Sequence, residues 1–363
     1  MRRIRIVCVA LVAAVALLAS EPDSQRAAAA APDSLGRFEF ARSEMGVLFR
    51  VVLYAQDDES ARRASDAAFE RVKQLNALLS DYDAKSEINR LTAAGPTDDG
   101  VAVSAELWSL LNRAHRLSEE TDGAFDVTVG PYSRLWRRAR RQRELPSAER
   151  LAEAKAAVGF RYLELVEPTE GKESKTGKVR VRQANMQLDL GGIAKGYAAD
   201  EALAVLRKLG IRHAMVAAAG DIAVGDAPPS EVGWRIGVAR LGAESEEPGV
   251  YLRLANCGVS TSGDAFQHVE IDGKRYSHIV DPRTGIGLTE RSSVTVVAPD
   301  ATTADSLATA MSVIGEQQAQ RLLEKYPRAE MLFVRNENEK AVATRSAGFE
   351  RYVEIDDANR RSK

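Results

Sequence analysis

The sequence predicts an α+β fold, because strand pairs and amphipathic helices follow one another along a chain that can bury a sizeable core. The chain has 363 residues, of which 45% are hydrophobic, as is typical of a soluble globular protein. Apolar residues recur at steps of three and four over residues 60–79, which predicts a helix. Asp272-Gly273 separates two strand-like runs, which predicts a hairpin. These elements fit one large domain or two interleaved domains.

The remaining elements follow from the same two periodicities. Residues 38–54 alternate well enough for strands interrupted at 43–46, and a second helical stripe covers 107–117. The other predicted elements are a loop entering a short helix at 80–91, a turn at 121–126, a helix over 148–158 closed by Gly159, a strand pair around a polar tip at 170–178, strands at 211–218 and 294–298, and a helix opened by Pro299-Asp300 and closed by Gly315.

The two ends of the chain are predicted to lie outside the folded domain. Residues 1–20 have three arginines and then an apolar run, the layout of a secretory signal peptide, so we expect export to the periplasm. Cys8 lies inside that run rather than at its end, which argues against a lipid anchor. We expect a flexible tether at 21–36, the folded domain at 37–350 and a C-terminal tail at 351–363.

Charge and motif content argue against several classes of function. Lysine and arginine total 50 and aspartate and glutamate total 52, so the net charge is −2, and no global field favours nucleic acid. Residues 134–143 are strongly basic, which fits a solvated helix face or an anionic docking patch. The sequence has no Gly-x-Ser-x-Gly, His-Glu-x-x-His or Cys-x-x-Cys pattern, so common hydrolase, zinc and dithiol chemistries lack support.

The stretch 186–197 has the layout of a buried strand, a tight turn and a helix start. The paired glycines at 191–192 let the backbone approach a ligand closely, and the helix predicted at 194–209 offers unpaired N–H groups to an anion. Asp189 before the turn and Lys195 after it add an acceptor and a cation, as a nucleotide would require. A plain buried corner between a strand and a helix fits the same residues, so both interpretations stay open.

Asp305 and Thr309 are four residues apart on a predicted helix, so their oxygens point from one face. Oxygen ligands suit Mg²⁺, which is typically held by one or two protein groups together with phosphate and water. We expect this site to face solvent. A bare helix surface fits the spacing as well.

The predicted hairpin places Glu270 opposite Arg275, and it places Tyr276 and His278 on one face of the second strand. His278 would then point towards the loop at 281–285. It is a candidate general base, although a satisfied hairpin histidine is also consistent with the pattern.

Eight short segments occur in an order that closely resembles the ApbE family, the FAD:protein FMN transferases. The resemblance covers about residues 38–335 and is specific because it rests on several separate motifs. The segments are Met45-Gly46, Ser80 to Asn89, Thr121 to Pro131, Leu188 to Tyr197, Gly220-Asp221, Thr261 to Asp264, His278 to Gly285 and Ala304 to Ala310.

The resemblance implies an exported, Mg²⁺-dependent enzyme that attaches the FMN half of FAD to a Ser or Thr hydroxyl of an acceptor flavoprotein and releases AMP. It also implies two intimately packed lobes around a single FAD cleft, and an acceptor that is a membrane or exported electron-transfer protein. The residues that it assigns are Met45, Tyr82, Ala124, Phe125, Asp126, Asp189, Lys195 and Ile279 as FAD contacts, the Gly192 carbonyl, Asp305 and Thr309 as metal ligands, and His278 as the catalytic residue.

The chain differs from the usual family pattern at three positions beside these contacts. Ala219 stands where the family usually has the first glycine of Gly-Gly-Asp, and Val47 and Val127 replace a common threonine and a frequent proline. Two other functions use the same pocket: an exported FAD-binding or storage protein, and an FAD pyrophosphatase that gives free FMN and AMP. Storage alone requires neither a metal nor a base, so Asp305 and His278 argue against it.

Overall fold

The structure is a computed structural model that describes residues 35–167, 177–241, 248–263, 268–338 and 340–354. The predicted signal peptide, almost all of the predicted tether and most of the polar tip at 170–178 lie outside the described residues. The described helices are α1 (Asp58–Leu79), α2 (Glu87–Ala93), α3 (Ala105–Glu120), α4 (Gly130–Gln142), α5 (Ala148–Ala156), α6 (Ala194–Lys208), α7 (Ala301–Ile314) and α8 (Glu316–Leu323).

The centre of the fold is an eight-stranded sheet in which all neighbouring strands are antiparallel. Its strands, in spatial order, are β1 (Gly36–Glu44), β2 (Val47–Ala55), β6 (Ala214–Ala218), β7 (Asp221–Val224), β10 (Cys257–Gly263), β15 (Ser292–Ala298), β16 (Glu330–Glu337) and β17 (Lys340–Arg345). The smaller sheets contain β3 (Val101–Ala102), β4 (Leu163–Val166), β5 (Lys178–Val181), β8 (Trp234–Val238), β9 (Val250–Leu254), β11 (His268–Ile271), β12 (Lys274–Ser277), β13 (Val280–Asp281) and β14 (Ile286–Gly287).

Both faces of the large sheet are covered, because successive strand residues point to opposite faces. Val51 of β2 packs into the main core with residues of α1, α6 and α7. The next residue, Val52, packs into a second cluster with Trp234 of β8 and Leu252 of β9. The main core therefore lies between the sheet and three helices, and the β8–β9 pair closes the other face.

Helix α6 packs against both α1 and α7. The predicted stripe of α1 is buried along its whole length, from Ala61 to Leu79. Asp200 of α6 accepts hydrogen bonds from the backbone N–H groups of Ala301 and Thr302, at 2.9 and 2.8 Å. These groups lie in the first turn of α7 and have no partner inside the helix. Asp200 therefore fastens the start of α7 to the middle of α6.

The predicted hairpin is confirmed in its turn and in its register. Asp272 and Gly273 have φ angles of 52° and 72°, which is the left-handed pair of conformations that a two-residue turn requires. Glu270 lies opposite Arg275. With its helices and antiparallel sheets, the chain has the α+β fold that the sequence predicts.

The strand predicted from Met186 does not form. Met186 and Leu188 are buried as expected, but Gln187 makes only a single bridge, to Val129. Val129 directly precedes α4, so its segment turns into a helix and offers no further strand partners. The apolar side chains of this run therefore belong to the core, but its backbone is not part of a sheet.

The C-terminal end packs further than predicted. Residues 351–354 fall in the predicted tail, but the N–H of Glu354 donates to the carbonyl of Tyr251 at 2.8 Å. The Glu354 carboxylate pairs with Arg235 and Arg253. The packed part of the chain thus reaches at least Glu354. Across the described ranges, no helix combines the length and the apolar character that a membrane span requires.

Candidate functional site

The glycine turn before α6 is shaped by Asp189. Its Oδ1 atom accepts a hydrogen bond from the N–H of Gly191 at 2.8 Å, as aspartate commonly does two residues ahead in a turn. A Cβ atom on Gly192 would lie 3.1 Å from Thr309 Oγ1 and 3.0 Å from its methyl carbon. A side chain at residue 192 would therefore crowd Thr309, so the glycine turn lies close to α7 at this point.

Helices α6 and α7 approach each other closely at Gly196. A Cβ there would lie 2.2 Å from the carbonyl oxygen of Ala301 and 2.8 Å from Cβ of Asp305, so no side chain fits. The N–H of Gly196 donates to Asp305 Oδ2 at 3.0 Å. The contacts of Gly192 and Gly196 bring the three metal ligands assigned by resemblance, Gly192, Asp305 and Thr309, to the α6–α7 contact.

Lys195 is held between two carboxylates. Its ammonium nitrogen lies 2.7 Å from Asp221 Oδ2 and 3.7 Å from Asp305 Oδ2, and it donates to the Gly191 carbonyl at 3.2 Å. Burial disfavours the charged ammonium, but the two carboxylates outweigh burial and raise the pKa of Lys195 above its usual value. Asp221 is fixed in turn by the Ser260 hydroxyl, which donates to it at 2.5 Å.

Asp305 is buried, and only 1% of its surface is exposed. The expectation of a solvent-facing carboxylate is therefore wrong, because Gly196 allows α6 to cover it. Burial, and next the negative charge of Asp221, raise the pKa of Asp305 to about 7, while Lys195 and the N–H of Gly196 act in the opposite direction. Two carboxylates around one ammonium leave a net negative charge that a cation would stabilise.

The donors at this contact fit Mg²⁺ by their chemistry. A carbonyl, a carboxylate and a hydroxyl supply hard oxygen ligands, the kind that Mg²⁺ accepts together with phosphate and water. The Ser262 hydroxyl lies 3.3 Å from Thr309 Oγ1 and adds another oxygen nearby. Within the described residues, no group of three or more His, Cys, Asp or Glu side chains is placed to hold a metal. A metal in this part of the chain would therefore depend on a mixed oxygen set such as this one.

A second group of contacts surrounds Arg137 of α4. Its guanidinium pairs with Asp81 at 2.5 Å and with Asp189 at 3.4 Å. Its Cζ atom also lies 4.0 Å from the centre of the Tyr82 ring, within the range of a cation–π contact. The Tyr82 side chain remains 78% exposed. Arg137 thus links two residues that the resemblance assigns to FAD.

The loop between α3 and α4 buries all three of its assigned residues. Ala124 and Phe125 are almost fully buried. The Asp126 carboxylate accepts bonds from the N–H and the hydroxyl of Thr128, at 2.8 and 2.7 Å, and from the N–H of Phe160 at 2.8 Å. The hydrogen bonds of the Asp126 side chain therefore hold this loop in place. A ligand could contact Asp126 only through the acceptor capacity that remains on its two oxygens.

Two assigned FAD contacts, Met45 and Ile279, lie outside the contacts described so far. Met45 lies between β1 and β2 with a φ of 49°, and Ile279 is buried. No hydrogen bond or ion pair between described residues joins either of them to the turn.

Strand β12 ends at Ser277, so the alternation of side chains between the two faces of the strand stops there. Tyr276 is buried and His278 is exposed, so the expectation that they share one face is wrong.

Three residues at the site received no role from the sequence. Asp221 lies within a recognised segment, but its pairing with Lys195 is visible only in three dimensions. Arg137 belongs to a helix segment with many arginines, and only the fold selects the one that faces Asp189. Ser262 is also in a recognised segment. The available signal for Asp221 was the predicted buried strand that precedes it. A charged residue at the end of a buried strand is rarely left unpaired.

The chain and its fold are similar to known proteins. The chain is 32% identical to the FAD:protein FMN transferase of Haemophilus influenzae over 82% of this chain and 87% of the relative. The structure matches the flavin transferase ApbE of Vibrio cholerae with a TM-score of 0.74 and 26% identity, covering 88% of this chain and 99% of the other. It matches the ApbE protein of Thermotoga maritima with a TM-score of 0.75 and 30% identity, covering 88% and 100%.

The fold is therefore that of the solved ApbE proteins. The family model of the ApbE family matches residues 45–333. The chain belongs to the ApbE family.

Proposed function

We propose that this chain transfers the FMN half of FAD to a Ser or Thr hydroxyl of an acceptor flavoprotein, with release of AMP. The observation that carries the proposal is the contact between the glycine turn and α7, where Gly192 meets Thr309 and Gly196 meets Asp305. This contact combines a helix start with hard oxygen donors, which suits a pyrophosphate and its cation. The relatives support the proposal through the name that they carry, FAD:protein FMN transferase.

The FAD contacts of this proposal are Met45, Tyr82, Ala124, Phe125, Asp126, Asp189, Lys195 and Ile279. Tyr82 offers an exposed ring on which a planar ligand can stack. Lys195 acts differently from a free phosphate-binding lysine, because its charge is already shared between Asp221 and Asp305. Its role is to keep two carboxylates close together beside the pyrophosphate.

The Gly192 carbonyl, Asp305 and Thr309 would hold Mg²⁺. The bound ion would supply positive charge against the negative charge that develops on the pyrophosphate during transfer. The protein's own contribution is to exclude water from Asp305 and to fix α7 against the glycine turn. Both follow from Gly196 and from the Asp200 contacts at the start of α7.

The transfer step is a substitution at phosphorus. The acceptor hydroxyl oxygen bonds to the phosphorus on the FMN side, the bond between this phosphorus and the bridging oxygen breaks, and AMP leaves with that oxygen. The hydroxyl proton goes to His278, our candidate general base. Because His278 is exposed beyond the end of β12, a side chain of another protein could reach it.

We further propose that the chain is exported to the periplasm without a lipid anchor and acts on a membrane or exported electron-transfer protein. The support is the layout of residues 1–20 and the position of Cys8 inside the apolar run. Cell fractionation with mass spectrometry of the mature N-terminus checks this. Lipid on Cys8, or a mature protein confined to the cytoplasm, would contradict the proposal.

One incubation tests the proposed reaction. The purified protein is mixed with FAD, Mg²⁺ and a candidate acceptor from the same genome, and the products are separated. We expect FMN bound to the acceptor together with AMP. Free FMN with AMP would instead identify a pyrophosphatase, and unchanged FAD bound to the protein would identify a storage function.

A further inference from the structure

We infer that Arg137 is a positioning residue of the flavin site, which holds the Tyr82 ring and the Asp189 carboxylate in the arrangement that FAD requires. The inference rests on the proposed function, because it takes Tyr82 and Asp189 as FAD contacts. Arg137 itself belongs to none of the assigned contacts.

Arg137 lies between two carboxylates, those of Asp81 and Asp189. Its side chain is 26% exposed, and those of Asp81 and Asp189 are 17% and 16% exposed. Burial, and next the charge of Asp189, raise the pKa of Asp81, whereas Arg137 lowers it. The guanidinium is therefore the cation that allows two largely buried carboxylates to lie near each other.

The Tyr82 ring packs against Arg137. One face of the ring lies against the Arg137 guanidinium at 4.0 Å, while the side chain as a whole remains 78% exposed. A planar guanidinium can stack on an aromatic face, and an ammonium cannot do this in the same way. Arg137 thus supports one face of the ring and leaves most of the side chain open to a ligand.

The backbone of the loop that carries Asp81 and Tyr82 is held by Asn89 of α2. The Asn89 side-chain amide donates to the carbonyls of Ser80 and Asp83, at 3.2 and 2.8 Å. These two residues flank Asp81 and Tyr82. The backbone is therefore fixed by α2, and the side chains that it presents are fixed by Arg137 of α4.

Arg137 and Asp189 together link this loop to the glycine turn. Asp189 uses Oδ1 to hold the N–H of Gly191, and it uses Oδ2 to meet Arg137. Both oxygens of one carboxylate are therefore engaged, one by the turn and one by α4. Through Asp189, Arg137 joins the ring-binding end of the site to the turn proposed to bind pyrophosphate.

The test is a double-mutant cycle on FAD affinity, measured by flavin fluorescence, with Arg137→Gln, Tyr82→Ala and the double variant. We expect Arg137→Gln to weaken FAD binding about tenfold in the wild-type background, and less than about threefold when Tyr82 is already alanine. The part of the effect that passes through Tyr82 disappears when Tyr82 is absent, which leaves only the smaller part that passes through Asp189. A merely structural role would give the same loss in both backgrounds and would overturn the inference.

The matched control is Arg138→Gln. Arg138 is the next residue of α4, is exposed, and donates only to Gln142 among the described residues, at 2.7 Å. We expect its FAD affinity to stay within about twofold of wild type. If Arg137→Gln behaves like Arg138→Gln, the inference is overturned.

Arg137→Lys separates charge from stacking and serves if Arg137→Gln does not fold. It keeps the positive charge but has no planar group to lie against Tyr82, so we expect an affinity between those of wild type and Arg137→Gln. Full wild-type affinity would overturn the stacking role. If wild-type protein binds FAD but transfers no FMN, the proposed function fails while the cycle still decides the inference; if it does not bind FAD, both fail.

Discussion

The ammonium of Lys195 lies 2.7 Å from a carboxylate oxygen of Asp221, although 26 residues separate them in the chain (221 − 195 = 26). The sequence presents Lys195 as a cation available to a phosphate. The structure gives it two carboxylate partners, and this changes what its removal should do.

Lys195→Ala should destabilise the folded protein by about 3 kcal/mol, because it leaves Asp221 and Asp305 without their shared cation. Mg²⁺ should recover part of this loss if the ion binds beside Asp305. Thermal unfolding with and without Mg²⁺ measures both effects. Lys208→Ala, on the exposed last turn of the same helix, is the matched control. Equal melting temperatures for the two variants would show that the buried pairing contributes nothing.

Asp305→Asn should lower the rate of FMN transfer roughly 100-fold or more, because it removes a unit charge from the proposed metal site. FAD affinity should change far less, since Tyr82 and Asp189 are untouched. The measurement is FMN transfer against Mg²⁺ concentration, alongside flavin binding. Ser306→Ala controls for changes in α7, because the Ser306 hydroxyl bonds only within its own helix among described residues. A wild-type rate with wild-type Mg²⁺ dependence would remove Asp305 from the site.

Ala219→Gly should stabilise the protein by about 0.5 kcal/mol. Ala219 has a φ of 56°, a left-handed conformation that costs an alanine roughly 1–2 kcal/mol. Glycine avoids this cost but loses part of the gain through its greater freedom in the unfolded chain. Chemical denaturation measures the difference. The same change at Ala217, inside β6, should destabilise the protein, and a loss at both positions would contradict the strain at Ala219.

The pH dependence of stability should contain a contribution from Asp126. Burial raises its pKa in the folded protein, against the hydrogen bonds of Thr128 and Phe160. The folded state then holds its proton more tightly than the unfolded state, so this contribution to stability is present at low pH. It is lost as the pH rises from the usual aspartate range through the raised folded pKa.

Asp126→Asn cannot ionise, so its stability should lack this contribution. The difference in the free energy of unfolding between wild type and variant should therefore shrink as the pH rises through that window. Urea unfolding of both proteins at several pH values measures it. A difference that stays constant, or that grows with pH, would contradict the raised pKa.

The elements of this fold could be predicted where the signal is local. The α1 stripe and the Asp272-Gly273 turn depend on residues within a few positions of each other, and both are confirmed. The strand from Met186 failed because its pairing depends on Val129, whose segment becomes a helix. The periodicity of hydrophobic residues indicates which side chains are buried. It does not indicate which segment the backbone pairs with.

The sequence indicates the residue types of the candidate site, but it says much less about the partners of those residues. The spacing of Asp305 and Thr309 is a local property of a helix. Their burial depends on Gly196, which is 109 residues from Asp305. A glycine inside a helix costs about 1 kcal/mol relative to alanine, and only the contact with α7 explains why this one is present.

The absence of a side chain at Gly196 also limits which substitutions this protein can accept. A single added methyl group would have to move Ala301 and Asp305 at once, and through the rigid α7 it would carry Thr309 with it. The spacing between the glycine turn and α7 can therefore be altered from a position that bears no functional group. In an engineering experiment, residue 196 and its neighbours on α7 would have to be varied together, because no single substitution there leaves the helix positions unchanged.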